Sequence, residues 1–296
     1  MGAGAFGGWT ALALARAGAR VSLLDGWGPG HSRASSGGES RVIRGIYGSD
    51  EIYTEWVARS FPLWNAAQKA SNRKLYHRTG ALWMFRGDDS YAEGSLPLME
   101  RSGLVVEKWS SDVAARRYPQ ISFEDIDSVY YEPEAGYLSA RDACAVIRDL
   151  AVDRGAEWIP EHGEPGPIRG RTMSAVELSN GSSLRADAFV FACGPWLGTT
   201  FPELLGDKII PTRQEVFYFG TPPGSESYSD QTFPVWVDFG ERIFYGIPGN
   251  QWRGFKVADD SRGEPIDPTT MIRTPTPERM ERARLELARR FPAMAD

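Results

Sequence analysis

The chain has 296 residues, 42% hydrophobic and 24% charged, with a net charge of −6 at pH 7. These are figures of an ordinary globular protein of one large or two medium domains, and the acidic balance without a basic cluster argues against a nucleic-acid partner. No apolar run reaches the length of a membrane span and no signal peptide is visible. Two cysteines, Cys144 and Cys193, make no disulfide framework, and the scattered His31, His77 and His162 give no metal-ligand spacing. A metal-free protein of the reducing cytoplasm is expected.

Met1 to Asp25 read MGAGAFGGWTALALARAGARVSLLD, with Gly2, Gly4 and Gly7 at the spacing G-x-G-x-x-G. A segment of helical composition, Trp9 to Ala17, follows, and then an apolar run, Val21 to Leu24, that ends on Asp25. If a dinucleotide binds here, the first glycine permits the tight turn and the second lets pyrophosphate reach the backbone. The third lets helix pack on strand, and the acid accepts the ribose hydroxyls. The helix N-terminus adds free N–H groups and a positive dipole end. The alternative is a glycine-rich tail. Only Met1 precedes Gly2, so the strand that should feed the turn is missing and a fragment that starts late is expected.

Gly26 to Gly38 reads as a long loop beginning where the adenosine ribose would lie. Arg41 and Arg44, three positions apart, would share one side of a helix or turn. They could serve a phosphate, a flavin carbonyl or a substrate carboxylate, or form a solvated surface pair. The rhythm predicts helices over Glu51–Ala70, Ser90–Ser102, Asp112–Tyr118, Ser139–Arg154 (Ser139 as N-cap) and Pro277–Phe291. Strands are predicted over Thr79–Phe85, Leu104–Trp109, Val129–Glu132, Ala156–Ile159, Ala186–Cys193, Thr212–Phe219, Val235–Phe239, Arg242–Ile247 and Gly254–Val257, with a hairpin at Asn180-Gly181 and a turn at Gly136. The strand Ala186–Cys193 runs into Gly194, either a second approach to a cofactor or a plain strand end. The alternation is that of an α/β protein, α+β overall, with two domains built from discontinuous segments.

The collinear series GAGAFG, LLD, ESRVIRGIYG, TGALWMF, EPEAGYLS, ACGPW, RQEVFYF and FYGIPG…GFK resembles the monomeric sarcosine oxidase and N-methyltryptophan oxidase family of D-amino-acid-oxidase-like flavoproteins. The resemblance spans nearly the whole chain. It implies an FAD-binding Rossmann-like domain, residues 1–78 and 140–211, and a mainly antiparallel substrate domain, residues 79–139 and 212–296. Family members run on past the last residue here, into the segment with the FAD-linking cysteine and a lysine for the substrate carboxylate, so a chain truncated at both ends is expected.

By position, the resemblance implies that Gly2, Gly4 and Gly7 line the FAD, that Asp25 meets its ribose, and that Ser40 and Arg41 lie beside the flavin, with Gly194 expected to join them as the second approach to the cofactor. Arg44 matches the arginine of the substrate carboxylate, Tyr245 a pocket tyrosine, and Lys256, eleven positions on, the lysine that promotes reaction with O2. Where sarcosine oxidases carry a pocket histidine this chain has Asp260, which puts sarcosine itself in doubt. The implied reaction oxidises a secondary (N-methyl) amino acid or related amine, by a hydride to flavin N5 and then O2 to hydrogen peroxide, in a monomer. The rivals are a flavin dehydrogenase with another acceptor, a non-catalytic fragment, and a nicotinamide enzyme, which the matches outside the glycine motif disfavour.

Overall fold

The computed structural model describes residues 1–170 and 172–295. After the glycine turn the chain winds into the helix Ala5–Arg16, with Gly4 as N-cap. Its buried Ala11 and Leu12 join one apolar core with Ala143, Val146 and Ile147 of the helix Ala140–Asp153. Gly8 makes that approach possible, since a Cβ there would stand 3.2 Å from Ile147 Cγ2. The strand Ser22–Leu24 pairs in parallel with Glu157–Ile159.

The largest sheet has seven strands in the order Val216–Phe219, Phe255–Asp259, Ile243–Ile247, Val235–Phe239, Ala81–Phe85, Ser128–Glu132, Glu107–Trp109. Neighbours are antiparallel except Val235–Phe239 beside Ala81–Phe85. Both faces are covered, so Ala81–Phe85 is apolar throughout. Leu82 and Met84 face the core shared with Leu287 and Phe291 of the helix Pro277–Arg290 and its C-terminal end, whereas Trp83 and Phe85 face Ile46, Tyr137 and Ile247. A smaller sheet joins Ser40–Ile43, Gly136–Ser139 and Tyr76–His77. No helix among the described residues is long and apolar enough to cross a membrane.

Four expectations change. Ala186–Cys193 is not a strand: apart from the turn at Cys193–Trp196, its backbone bonds go to Met1 alone among the described residues. Apolar composition makes a strand only when a neighbour supplies a ladder. Gly194 accordingly opens a 3₁₀ turn, Gly194–Trp196, instead of closing a strand. Gly136 begins a paired strand. Ser139 sits at the N-cap of its helix without capping it, because its hydroxyl is engaged by His77 Nε2 at 3.0 Å.

Candidate active site

The glycine turn is built by close approach. Gly2 has φ +96°, and a Cβ there would lie 2.3 Å from the Ala192 carbonyl oxygen. A Cβ on Gly7 would lie 1.7 Å from the Gly2 oxygen, backbone against backbone. Gly7→Ala is therefore expected to cost about 3 kcal/mol of overpacking and to abolish FAD binding, read as loss of flavin-fluorescence quenching on titration. Unaltered titration would show that the turn is not the phosphate cradle. Asp25 closes the turn from the other side: one carboxylate oxygen accepts the Ala3 amide at 2.8 Å and the other the Trp27 and Gly28 amides at 3.0 Å. Ser36 Oγ accepts the Ala5 amide at 3.0 Å. The Phe6 and Gly7 amides of the first helical turn have no backbone or side-chain partner among the described residues, the state in which a helix start receives phosphate.

This turn opens on a cavity of about 1280 Å³, lined among others by Gly2, Gly4, Asp25, Arg41 and Gly194. A tight glycine turn, unpaired helix-start amides and a cavity of this volume fit a dinucleotide such as FAD. Gly194 is needed for its conformation, φ +53°, and not for room, since a Cβ there would meet nothing within 4 Å.

Sequence reasoning missed the aromatic wall beside Asp25. Trp27 lies 5.1 Å from the His31 ring, 4.8 Å from His162 and 4.8 Å from Trp196. Burial pushes the His31 imidazole down, and Asp25 only partly restores it. The available signal was Trp27, two residues after the ribose acid, but His162 and Trp196 join it only through the fold.

The strand Ser40–Ile43 carries Ser40 and Arg41. Arg41 lines the cavity and donates to the Ser35 oxygen at 2.8 Å and the Ser40 oxygen at 3.0 Å. Lys256, 2% exposed, donates from Nζ to that same Ser40 oxygen at 3.3 Å. Burial, and after it the Arg41 charge, pulls its ammonium down to about 7. Tyr245 and Lys256 lie on adjacent strands of the large sheet, with Nζ 5.7 Å from the phenol ring. Burial raises the Tyr245 phenol, opposed chiefly by Arg41. Tyr218, absent from the sequence-derived set, stands directly opposite Lys256 in the ladder.

Arg44 behaves differently from Arg41. A strand, not a helix, precedes it, so a separation of three sends the two side chains to opposite faces. The Arg44 guanidinium lies 4.0 Å from the Tyr47 ring and 5.1 Å from Trp83, and donates to the Ile46 oxygen. They do not share a face, and Arg41 is exposed whereas Arg44 is half-buried. Arg44, Tyr245 and Lys256 are outside the cavity lining and are grouped around the strand that bounds it. Asp260 is at the exposed end of this group, its carboxyl raised by partial burial and pulled back by Arg44. Among the described residues no three His, Cys, Asp or Glu side chains are placed to hold a metal ion.

The chain matches the family model "DAO: FAD dependent oxidoreductase" over residues 1–296. It is 28% identical over 276 residues to the monomeric sarcosine oxidase of Bacillus sp. (strain B-0618), covering 92% of this chain and 70% of that one. It is 26% identical over 261 residues to the N-methyl-L-tryptophan oxidase of Salmonella heidelberg (strain SL476), covering 88% and 67%. The fold superposes on L-proline dehydrogenase from P. horikoshii with a TM-score of 0.81 at 18% identity, over 99% of this chain and 76% of the other. It also matches glycine oxidase from Bacillus cereus ATCC 14579, with a TM-score of 0.75 at 20% identity over 99% and 77%. With its glycine turn and cavity, the chain belongs to the DAO family of FAD-dependent oxidoreductases, and it resembles the sarcosine and N-methyltryptophan oxidases within it.

Proposed function

We propose that this FAD-dependent amine or amino-acid oxidoreductase oxidises the C–N bond of a secondary, N-methylated amino acid and passes the electrons to O2. The observation that carries this reading is the buried Lys256, which shares the Ser40 carbonyl with the cavity-lining Arg41. Bound FAD supplies a two-electron acceptor for the amine and, once reduced, a donor to O2. Segments 1–78 and 140–211 would hold it, and segments 79–139 and 212–296 would hold the substrate.

The remaining chemistry belongs to the side chains. Gly2, Gly4 and Gly7 with the helix start would bind pyrophosphate, and Asp25, with lone pairs left beyond its three amide bonds, the ribose. Arg44 would take the substrate carboxylate through its guanidinium fork, and Tyr245 would wall the pocket. An amine must be neutral to be oxidised, and the nearby Arg41 and Arg44 cations, with Lys256 while it holds its proton, disfavour the ammonium form. Lys256 would stabilise the anion that O2 becomes on accepting an electron.

The test is anaerobic mixing of the FAD-loaded protein with sarcosine, N-methyl-L-tryptophan and, as a control without a carboxylate, dimethylamine. The expected result is bleaching of the visible flavin band by an N-methyl amino acid at concentrations where dimethylamine does nothing. Equal bleaching by dimethylamine would remove Arg44 from the reading, and bleaching by none would remove the substrate class.

A further inference from the structure

We infer that Glu132 is the positioning residue that aims Arg44 at a substrate carboxylate, an inference that rests on the reading of Arg44 above. Glu132 ends the strand Ser128–Glu132 and is 2% exposed. It makes no ion pair among the described residues, and nothing about the reaction so far uses it. A buried carboxylate is retained only where donors converge on it, and here three do. One oxygen accepts the Gly45 amide, and the other accepts the Ile46 amide at 3.4 Å and the Trp83 indole N–H at 2.7 Å.

Each of these donors leads to Arg44. Gly45 and Ile46 are the residues that follow it, and the Ile46 carbonyl accepts the hydrogen bond from Arg44 Nη1. The Trp83 ring is one of the two against which the guanidinium lies, at 5.1 Å. The other, Tyr47, has its amide fixed by Ser95 Oγ at 3.1 Å. Arg44 thus rests on a carbonyl and a ring that are both anchored to one carboxylate, and its long side chain loses the rotamer freedom it would otherwise forfeit on binding. Burial pushes the Glu132 carboxyl up, while the Gly45 amide, the Trp83 indole and the Arg44 charge pull it back. An ionised carboxylate suits the place because it only accepts, and three N–H groups face it.

Glu132→Gln keeps the volume but turns an –NH2 toward at least one of those N–H groups. The readout is the dissociation constant of acetate, a carboxylate without an amine, from perturbation of the bound-flavin spectrum of the full chain, beside the affinity for FAD. The expected result is acetate binding weakened about tenfold, the size of one lost charge-assisted hydrogen bond, with FAD affinity unchanged. Arg44→Gln should weaken acetate further. Acetate binding that is unchanged in Glu132→Gln but weakened in Arg44→Gln would overturn the inference and leave the role of Arg44 standing. Unchanged binding in both would overturn the role of Arg44 and the inference with it. Should Glu132→Gln fail to fold, Trp83→Phe decides, because it leaves an aromatic ring beside Arg44 while removing the indole N–H that Glu132 accepts. Weakened acetate binding there supports the inference and unchanged binding overturns it.

Discussion

Replacing Lys256 by methionine is expected to slow reoxidation of the reduced enzyme by O2 about 10²–10³-fold, the usual effect of removing one preorganised charge-stabilising group. Anaerobic reduction by substrate should stay within a few-fold. Stopped-flow measurement of the two half-reactions separates these effects, and an O2 step that survives the substitution would deny Lys256 its role. The pH dependence follows from burial. The lysine gives up its proton at about 7 instead of its ordinary 10.5. The cation is therefore present below that pH and lost above it, and the wild-type O2 rate should fall as pH rises through neutrality.

Stability should move the other way. Between pH 7 and 10.5 the unfolded chain holds a proton on Lys256 that the folded one has released. The stability of the wild type therefore rises with pH across that window, and the burial cost is paid in full below it. Methionine removes a buried cation whose only hydrogen bond among the described residues is to the Ser40 carbonyl. The variant should accordingly melt higher than wild type, by a wider margin below pH 7 than above it. A residue that costs stability while serving the reaction is a common pattern at working sites.

The second large effect lies away from the chemistry. Asp238→Ala is expected to destabilise the fold by about 3–5 kcal/mol, the cost of leaving a buried charge without its partner. Asp238 and Arg290 are both 0% exposed. Arg290 Nε donates to Asp238 Oδ2 at 2.7 Å, Arg289 Nη2 to the same oxygen at 2.6 Å, and Arg86 Nε lies 3.1 Å from Oδ1. This cluster fastens the helix Pro277–Arg290 to the middle of the seven-stranded sheet. Burial pushes the Asp238 carboxyl up, but the guanidiniums, Arg290 first, more than offset it and hold it below the usual range. Its contribution is thus present above the ordinary carboxylate pKa and is lost as pH falls through the lowered value. Urea denaturation at neutral pH measures the effect. A loss below about 1 kcal/mol, as for an exposed pair, would contradict it.

What was legible in the sequence was local or collinear. The glycine turn, its helix, the strand Ser22–Leu24 and Asp25 follow one another within a single stretch, and their physics depends on near neighbours. Long amphipathic helices such as Glu51–Ser71 also announce themselves. Arg41 and Arg44 were visible as a pair, but their geometry was not, since a separation of three puts them on one side of a helix and on opposite sides of a strand. Ala186–Cys193 reads as a strand because pairing, unlike composition, is not written in the segment itself. Buried charge left no local trace: Glu132 meets Gly45 across 87 positions and Asp238 meets Arg290 across 52. Tyr218 entered only through the register that sets it opposite Lys256.

The most direct measurement is the stoichiometry of a single reaction. The FAD-loaded chain is given a limiting amount of whichever N-methyl amino acid bleaches it, and amine lost, O2 consumed and hydrogen peroxide formed are followed together. An oxidase with Lys256 at its O2 site should show all three in equal amounts. Amine consumed only when an artificial acceptor is added, with no O2 uptake and no peroxide, would contradict that reading and mark the protein as a dehydrogenase of the same fold.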